Sequence, residues 1–217
     1  MTYSGHTSVG GVPQVRELAD LIITKIAVGP MDNNSYLLRC RSTDDQVLID
    51  AANDADNLLH AVGRDGLTRV VTTHSHGDHW QALEAVVDAT TAVTVAGAAD
   101  AAGLPVPVEQ PVNDGDVVFV GSCELRVVHL AGHTPGSIAL VFDDPEGHPH
   151  VFTGDSLFPG GVGRTTSTAD FDSLIGDVSA KLFDRLPDET WVYPGHGDDT
   201  TLGAERPHLA EWRARGW

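Results

Sequence analysis

Thr73-His74-Ser75-His76-Gly77-Asp78-His79 puts three imidazoles and a carboxylate into one short polar stretch. It follows Arg69–Thr72, a β-branched run that reads as a buried strand. It precedes Trp80, Leu83, Val86 and Val87, whose spacing predicts an amphipathic helix. In extended chain, residues i and i+2 point to the same side, so His74 and His76 can grip one ion together. Gly77 permits a sharp change of direction. Asp78 then falls where the helix is expected to start, a position that also suits an N-cap, and His79 is one step in. These two face a different direction and can reach a second ion. Imidazoles and carboxylates without thiolates suit zinc, iron or manganese.

Three further loops repeat the arrangement. Gly132-His133-Thr134-Pro135-Gly136 follows the apolar Leu125–Leu130, Gly154-Asp155-Ser156 follows Val151–Thr153, and Pro194-Gly195-His196-Gly197 follows Trp191–Tyr193. Alone, each is weak evidence, since an Asp after a strand is often only a turn residue. Together they are four strands ending in Gly-rich loops that present His or Asp. Layered α/β folds assemble sites at one set of strand ends. Such an edge gathers His74, His76, Asp78, His79, His133, Asp155 and His196, enough donors for two ions sharing one carboxylate.

The rest of the sequence narrows the setting. The chain has 217 residues, 41% of them hydrophobic and 20% charged, in the range of one globular domain. With 13 Lys+Arg against 31 Asp+Glu, the formal net charge is −18. That field repels phosphate backbones and anionic membranes, so neither a nucleic acid nor a membrane is an expected partner. No apolar run approaches the roughly 18–20 residues a membrane span needs, and Met1–Gly11 has no signal pattern. A cytoplasmic protein is expected. Cys40 and Cys123 match no zinc or redox spacing and read as a pair of small core residues in a reducing compartment.

Many short strands in two groups, each followed by helices, predict a single α/β domain over 1–217. Residues 1–17 read as a loose leader and 204–217 as a helical tail. Gly97–Ala102 reads as a short helix, and the proline-rich Leu104–Val112 as loop.

The run H-x-H-x-D-H, then G-H-T-P-G, G-D-S and P-G-H-G, in that order, resembles the metallo-β-lactamase superfamily. Within it the chain is most similar to the catalytic domain of glyoxalase II, over roughly residues 20–203. The resemblance implies a four-layer αββα sandwich with metals at one edge. It assigns His74, His76 and His133 to a first ion, Asp78, His79 and His196 to a second, and Asp155 to both. Two divalent cations are implied, zinc first, with iron or manganese as alternatives. Cys40 and Cys123 lie in none of the motifs, which argues against the lactamases proper. Two features depart from glyoxalase II. Only 21 residues follow His196, too few for its helical glutathione-binding domain. The usual G-R-T-D-F also becomes Gly163-Arg164-Thr165-Thr166, with Asp170-Phe171 displaced.

The expected function is hydrolysis of thioesters of small thiols by a metal-bridging hydroxide, with ions about 3.5–4 Å apart. Asp78 is the expected catalytic residue, orienting that hydroxide. Arg164, the one basic residue in the loop after Asp155, is a candidate clamp for a substrate carboxylate. Two alternatives keep the fold. One is an iron-dependent persulfide dioxygenase held by His74, His133 and Asp155. The other is a lactone hydrolase. The partner is a small-molecule thioester, and the chain is a monomer or homodimer. His129 is expected to be a packed or edge residue of a strand, and His6, His60, His148, His150 and His208 to be solvated. Trp212 and Trp217 are expected to dock on the body or on a second subunit. Asn33 and Asn34 are expected to cap a hairpin entry.

Overall fold

The computed structural model describes residues 3–216, so Met1, Thr2 and Trp217 lie outside the described residues. Alternating and β-branched runs form a first sheet of seven strands: β1 Gln14–Glu17, β2 Leu21–Val28, β3 Asn33–Cys40, β4 Gln46–Ile49, β5 Arg69–Thr72, β6 Val93–Gly97 and β7 Gln110–Val112. Their order in the sheet is their order in the chain. β1 to β4 are antiparallel, and β4 to β7 parallel. The parallel half needs crossovers. Two of them are helical, α1 Ala55–Val62 and α2 Leu83–Thr90.

The second sheet comprises β8 Val117–Val120, β9 Cys123–His129, β10 Ile138–Phe142 and β11 His150–Gly154, joined after a small β12 Leu157–Phe158 and β13 Gly161–Val162 ribbon by β14 Trp191–Pro194 and β15 Thr200–Thr201. β14 pairs with β11 in parallel, across α3 Thr168–Asp177 and its wider-wound continuation Val178–Phe183. Two short helices, α4 Leu202–Glu205 and α5 Leu209–Arg215, finish the chain.

Three apolar clusters weld these elements into four layers. Side chains on the inner faces of the two sheets, such as Ile23, Leu38, Ile49, Leu125, Leu140 and Phe152, fill the space between them. Ile26, Leu48 and Val70 on the outer face of the first sheet pack under Leu58, Val62, Leu83 and Val86. Val141, Val151 and Val192 pack under Phe171, Leu174, Leu182 and Trp212. The molecule is thus the expected αββα sandwich. Among the described residues, no helix is long and apolar enough to cross a membrane.

Several local expectations need correction. Part of the leader is a strand, β1, and Thr7 is buried. Gly97–Ala102 is no helix: a turn leads into a single 3₁₀ turn, Ala101–Gly103. The proline-rich loop ends in β7, where Pro111 is tolerated because β7 is an edge strand. The helix after the histidine loop starts at Leu83 with Ala82 as its cap, so Asp78 does not cap it. Gly77–His79 forms a separate 3₁₀ turn. His150 is buried in β11 and not solvated.

Candidate metal centre

The ends of β5, β9, β11 and β14 bring all seven expected donors together at one edge. Three sets have ligand atoms within 4.8 Å of one another: His74, His76 and His133; His74, His79 and Asp155; and Asp78, His79 and His196. His133 Nε2 lies 2.9 Å from His76 Nδ1 and 3.3 Å from His74 Nε2. His79 Nε2 lies 3.3 Å from His196 Nε2. Asp155 stands between the two groups. Its Oδ1 is 3.2 Å from His79 Nε2, and its Oδ2 is 3.6 Å from His133 Nε2 and 3.5 Å from His196 Nε2. Asp78 Oδ2 is 3.2 Å from His196 Nε2.

The far side of each ring explains which nitrogen faces inward. His133 Nδ1 donates to Arg164 O at 2.7 Å, and His196 Nδ1 to Met31 O at 3.0 Å. A carbonyl can only accept, so these rings carry the proton on Nδ1 and turn the Nε2 lone pair to the centre. His79 Nδ1 faces Asp50 Oδ2 at 2.9 Å. Thr73 Oγ1 donates to Asp50 Oδ2 at 2.8 Å and is 3.0 Å from His74 Nδ1, so it can accept there.

Close backbone approach sets the rest. A Cβ on Gly195 would overlap Asp155 Oδ1 and His79, and one on Gly163 would overlap Asp155 O. Only glycine lets these loops close around the Asp155 carboxylate.

Electrostatics suit a donor role at His74, His133, Asp78 and Asp155, and oppose it at His79 and His196. Burial holds His74 well below the usual imidazole range, and burial also lowers His133. Burial opposes ionisation of Asp155, yet the adjacent His196 and His79 rings outweigh it and hold the carboxyl well below its ordinary range. Asp78 is likewise lowered against its burial, by Asn33 and His79. His79 is pushed up to about 10, burial being outweighed by Asp50 and Asp155. A cation held by His79 would have to displace a proton there.

These observations fit divalent cations. Imidazole nitrogens and carboxylate oxygens converge, and the buried Asp155 Oδ1 has no hydrogen-bond partner among the described residues. The set is oxygen and nitrogen only, as expected for zinc, iron or manganese. Arg164 sits at the rim, where a cavity of about 410 Å³ is lined by His76, His133, Arg164, Thr165 and Thr166.

Sequence reasoning missed the scaffolding. Asp50, at the end of β4, is buried and accepts Thr73 N at 2.7 Å besides the contacts above. Asp100 is also buried. It accepts Ser75 N at 2.8 Å, Gly136 N at 2.7 Å and the Thr134 hydroxyl, so it ties the loop of His74 and His76 to the loop of His133. Asn33 and Asn34 do more than open a hairpin. Asn33 Nδ2 donates to Asp78 Oδ2 at 2.9 Å, and Asn34 Nδ2 to Pro194 O and Gly197 O, both at 2.9 Å, either side of His196. Their signal was two amide side chains at the start of a buried strand. His129 packs as expected, its Nε2 2.8 Å from Pro135 O, outside the donor sets.

The metallo-beta-lactamase superfamily model matches residues 28–196. A protein named hydroxyacylglutathione hydrolase from Polaromonas sp. (strain JS666) is 35% identical over 179 residues, covering 81% of this chain and 66% of that protein. This chain therefore spans slightly less than two thirds of that relative's length. The crystal structure of ETHE1 from Myxococcus xanthus superposes with a TM-score of 0.75 at 31% identity, covering 88% of this chain and 84% of that one. A protein crystallised in a di-iron-bound form gives a TM-score of 0.66 at 35% identity, covering 84% and 96%.

Proposed function

The chain belongs to the metallo-β-lactamase superfamily, and from that premise we propose that it hydrolyses thioesters of small thiols. The observation that carries the reading is the row of three overlapping His/Asp donor sets, with Asp155 in the middle one. His74, His76 and His133 would hold one divalent ion, Asp78, His79 and His196 a second, and Asp155 both. Zinc suits the set first, with iron or manganese as alternatives. Bound ions would supply Lewis acidity to a carbonyl oxygen and a water acidified toward neutrality.

The chain's own groups do the remaining work. Asp78 is the proposed catalytic residue. Asn33 Nδ2 fixes one of its oxygens, and its carboxylate can orient the attacking water from that position. Arg164 offers a guanidinium to a carboxylate on the substrate, at the mouth of the 410 Å³ cavity. Thr165 and Thr166 give that wall hydroxyls. The reading needs no serine or cysteine nucleophile and no covalent acyl intermediate. The family match and the hydroxyacylglutathione hydrolase relative support a metallo-hydrolase.

A second reading is an iron-dependent persulfide dioxygenase using His74, His133 and Asp155, with which the likeness to ETHE1 is consistent. Elemental analysis together with an anaerobic panel of thioesters separates the two. About two ions per chain and oxygen-independent cleavage support the hydrolase. One iron, with oxygen uptake on a persulfide, supports the dioxygenase. A best rate on a lactone overturns both.

A further inference from the structure

Cys40 and Cys123 are the chain's two cysteines, and they stand on opposite sheets. Cys40 ends β3, and Cys123 begins β9. Both are buried, and their sulfurs lie 3.9 Å apart across the sandwich. The turn between β8 and β9 brings them there. Gly121 in that turn has φ +56°, and a Cβ on it would crowd the Cys40 side chain. The turn is therefore seated directly on Cys40. Ser42 and Ser122 complete the group. Cys40 Sγ is 3.2 Å from Ser42 Oγ and 3.3 Å from Ser122 Oγ.

A cavity of about 410 Å³ opens beside this pair, with Asp20, Ser122, Cys123, Glu124, Arg126 and Asp143 in its wall. Cys123 lines it, and the Cys40 sulfur lies directly behind, 3.9 Å from that of Cys123. The opposite ends of the same strands face the metal centre. Asn33 starts β3 and touches Asp78, and β9 leads on to His133.

We propose that Cys40 and Cys123 are an oxidative modification site, closed by hydrogen peroxide into a disulfide that clasps the two sheets at the end away from the metal centre. The steps balance without another reactant. The Cys40 thiolate attacks one peroxide oxygen, an S–O bond forms, the O–O bond breaks, and the departing hydroxide leaves as water after taking up a proton. The Cys123 sulfur then attacks the Cys40 sulfenic sulfur. The S–S bond forms, the S–O bond breaks, and the Cys123 proton leaves with the hydroxyl as a second water. Two thiols lose two electrons, and the peroxide gains them. The environments suit these roles. Burial raises the Cys40 thiol, but hydrogen bonds from Ser122 and Ser42 outweigh it and bring it to about 5, whereas burial and the neighbouring Cys40 push Cys123 up to about 12. Forming the bond asks the sulfurs to close by about 2 Å.

The test uses the whole, metal-loaded protein. It is treated with hydrogen peroxide, quenched, denatured and alkylated, and its intact mass and free thiols are read. The expected result is loss of both free thiols with a mass lower by two hydrogens, reversed by dithiothreitol. The cross-link closes a separation of 83 residues, so the oxidised form should melt roughly 5 °C or more above the reduced one. Metal content should stay the same. Cys40→Ser and Cys123→Ser should each keep one thiol and form no intramolecular cross-link. Two thiols still free after oxidation, sulfinic or sulfonic masses in place of the cross-link, or a cross-linked form that melts no higher than the reduced one would overturn the proposal. The wild-type measurement stands even if a serine variant fails to fold.

Discussion

The Asp50 carboxylate lies 2.9 Å from Nδ1 of His79, with both side chains buried. The same oxygen accepts the Thr73 hydroxyl, whose other contact is His74 Nδ1 at 3.0 Å. One carboxylate therefore stands behind an imidazole of each donor set. Such outer partners fix ring tautomer and basicity.

Asp50→Asn keeps the shape but turns one acceptor oxygen into a donor. It should weaken divalent metal binding by roughly 10–100-fold. The measurement is titration of apoprotein with zinc against a chelator of known affinity, with circular dichroism to confirm the fold. Unchanged affinity would show that Asp50 only supports the backbone.

Asp100 joins two loops instead of touching a ring. Replacing it with Asn leaves at least one of Ser75 N, Gly136 N or the Thr134 hydroxyl facing an amide donor. An unsatisfied buried group costs about 1–3 kcal/mol. We expect a lower melting temperature and a selective loss of the ion assigned to His74, His76 and His133. A two-step metal titration in which both ions weaken equally would contradict that selectivity.

His150 supplies a pH effect outside the metal centre. Burial, followed by Arg16 and His148, lowers its pKa from 6.5 to about 3. Nδ1 faces the Tyr193 hydroxyl at 3.0 Å, and Nε2 has no partner among the described residues. Between these two pKa values the unfolded chain binds a proton that the folded chain does not. Stability from this group is complete above about pH 6.5 and is lost as pH falls toward 3, at about 1.4 kcal/mol per pH unit. His150→Phe should remove that portion of the acid sensitivity whatever its effect at neutral pH. Denaturant melts of both proteins at pH 7.5 and 5.5 check it. Equal losses in the two would assign the acid sensitivity to other groups.

The donor loops are legible because each breaks an apolar strand with glycine beside His or Asp. Their scaffolding is not. Asp50 and Asp100 are single acids after strands, and a lone acid there looks like any turn residue. Asp78 reads as a helix cap because the polar loop and the apolar helix adjoin in sequence. The extra Gly77–His79 turn, which aims Asp78 and His79 inward, has no periodic signature. The leader reads as loose because its ties are long-range. Tyr3 donates its hydroxyl to Asp199 at 2.6 Å, and Lys25, fully buried, donates to Gly5 O, Gly197 O and Asp199 at 2.7 Å each. Those bonds hold the segment after His196, and nothing in the residues around 1–17 announces them.

Arg164 has a backbone role and a side-chain role that a single substitution separates. Its carbonyl receives the His133 Nδ1 proton, and its exposed side chain lies in the wall of the cavity beside His76 and His133. Arg164→Ala keeps the carbonyl, so metal content should not change. It removes the guanidinium, the one cation among the residues lining that cavity. If the guanidinium clamps a substrate carboxylate, the contact is felt alike in the ground and transition states, and KM should rise about tenfold with little change in kcat. Paired substrates sharpen the comparison. A thioester with a carboxylate near the acyl carbon should suffer, and the matching methyl ester should not, because it offers no charge to the arginine. Equal effects on both would mean that Arg164 shapes the cavity without recognising charge. A fall in kcat at constant KM would place it on the reacting atoms.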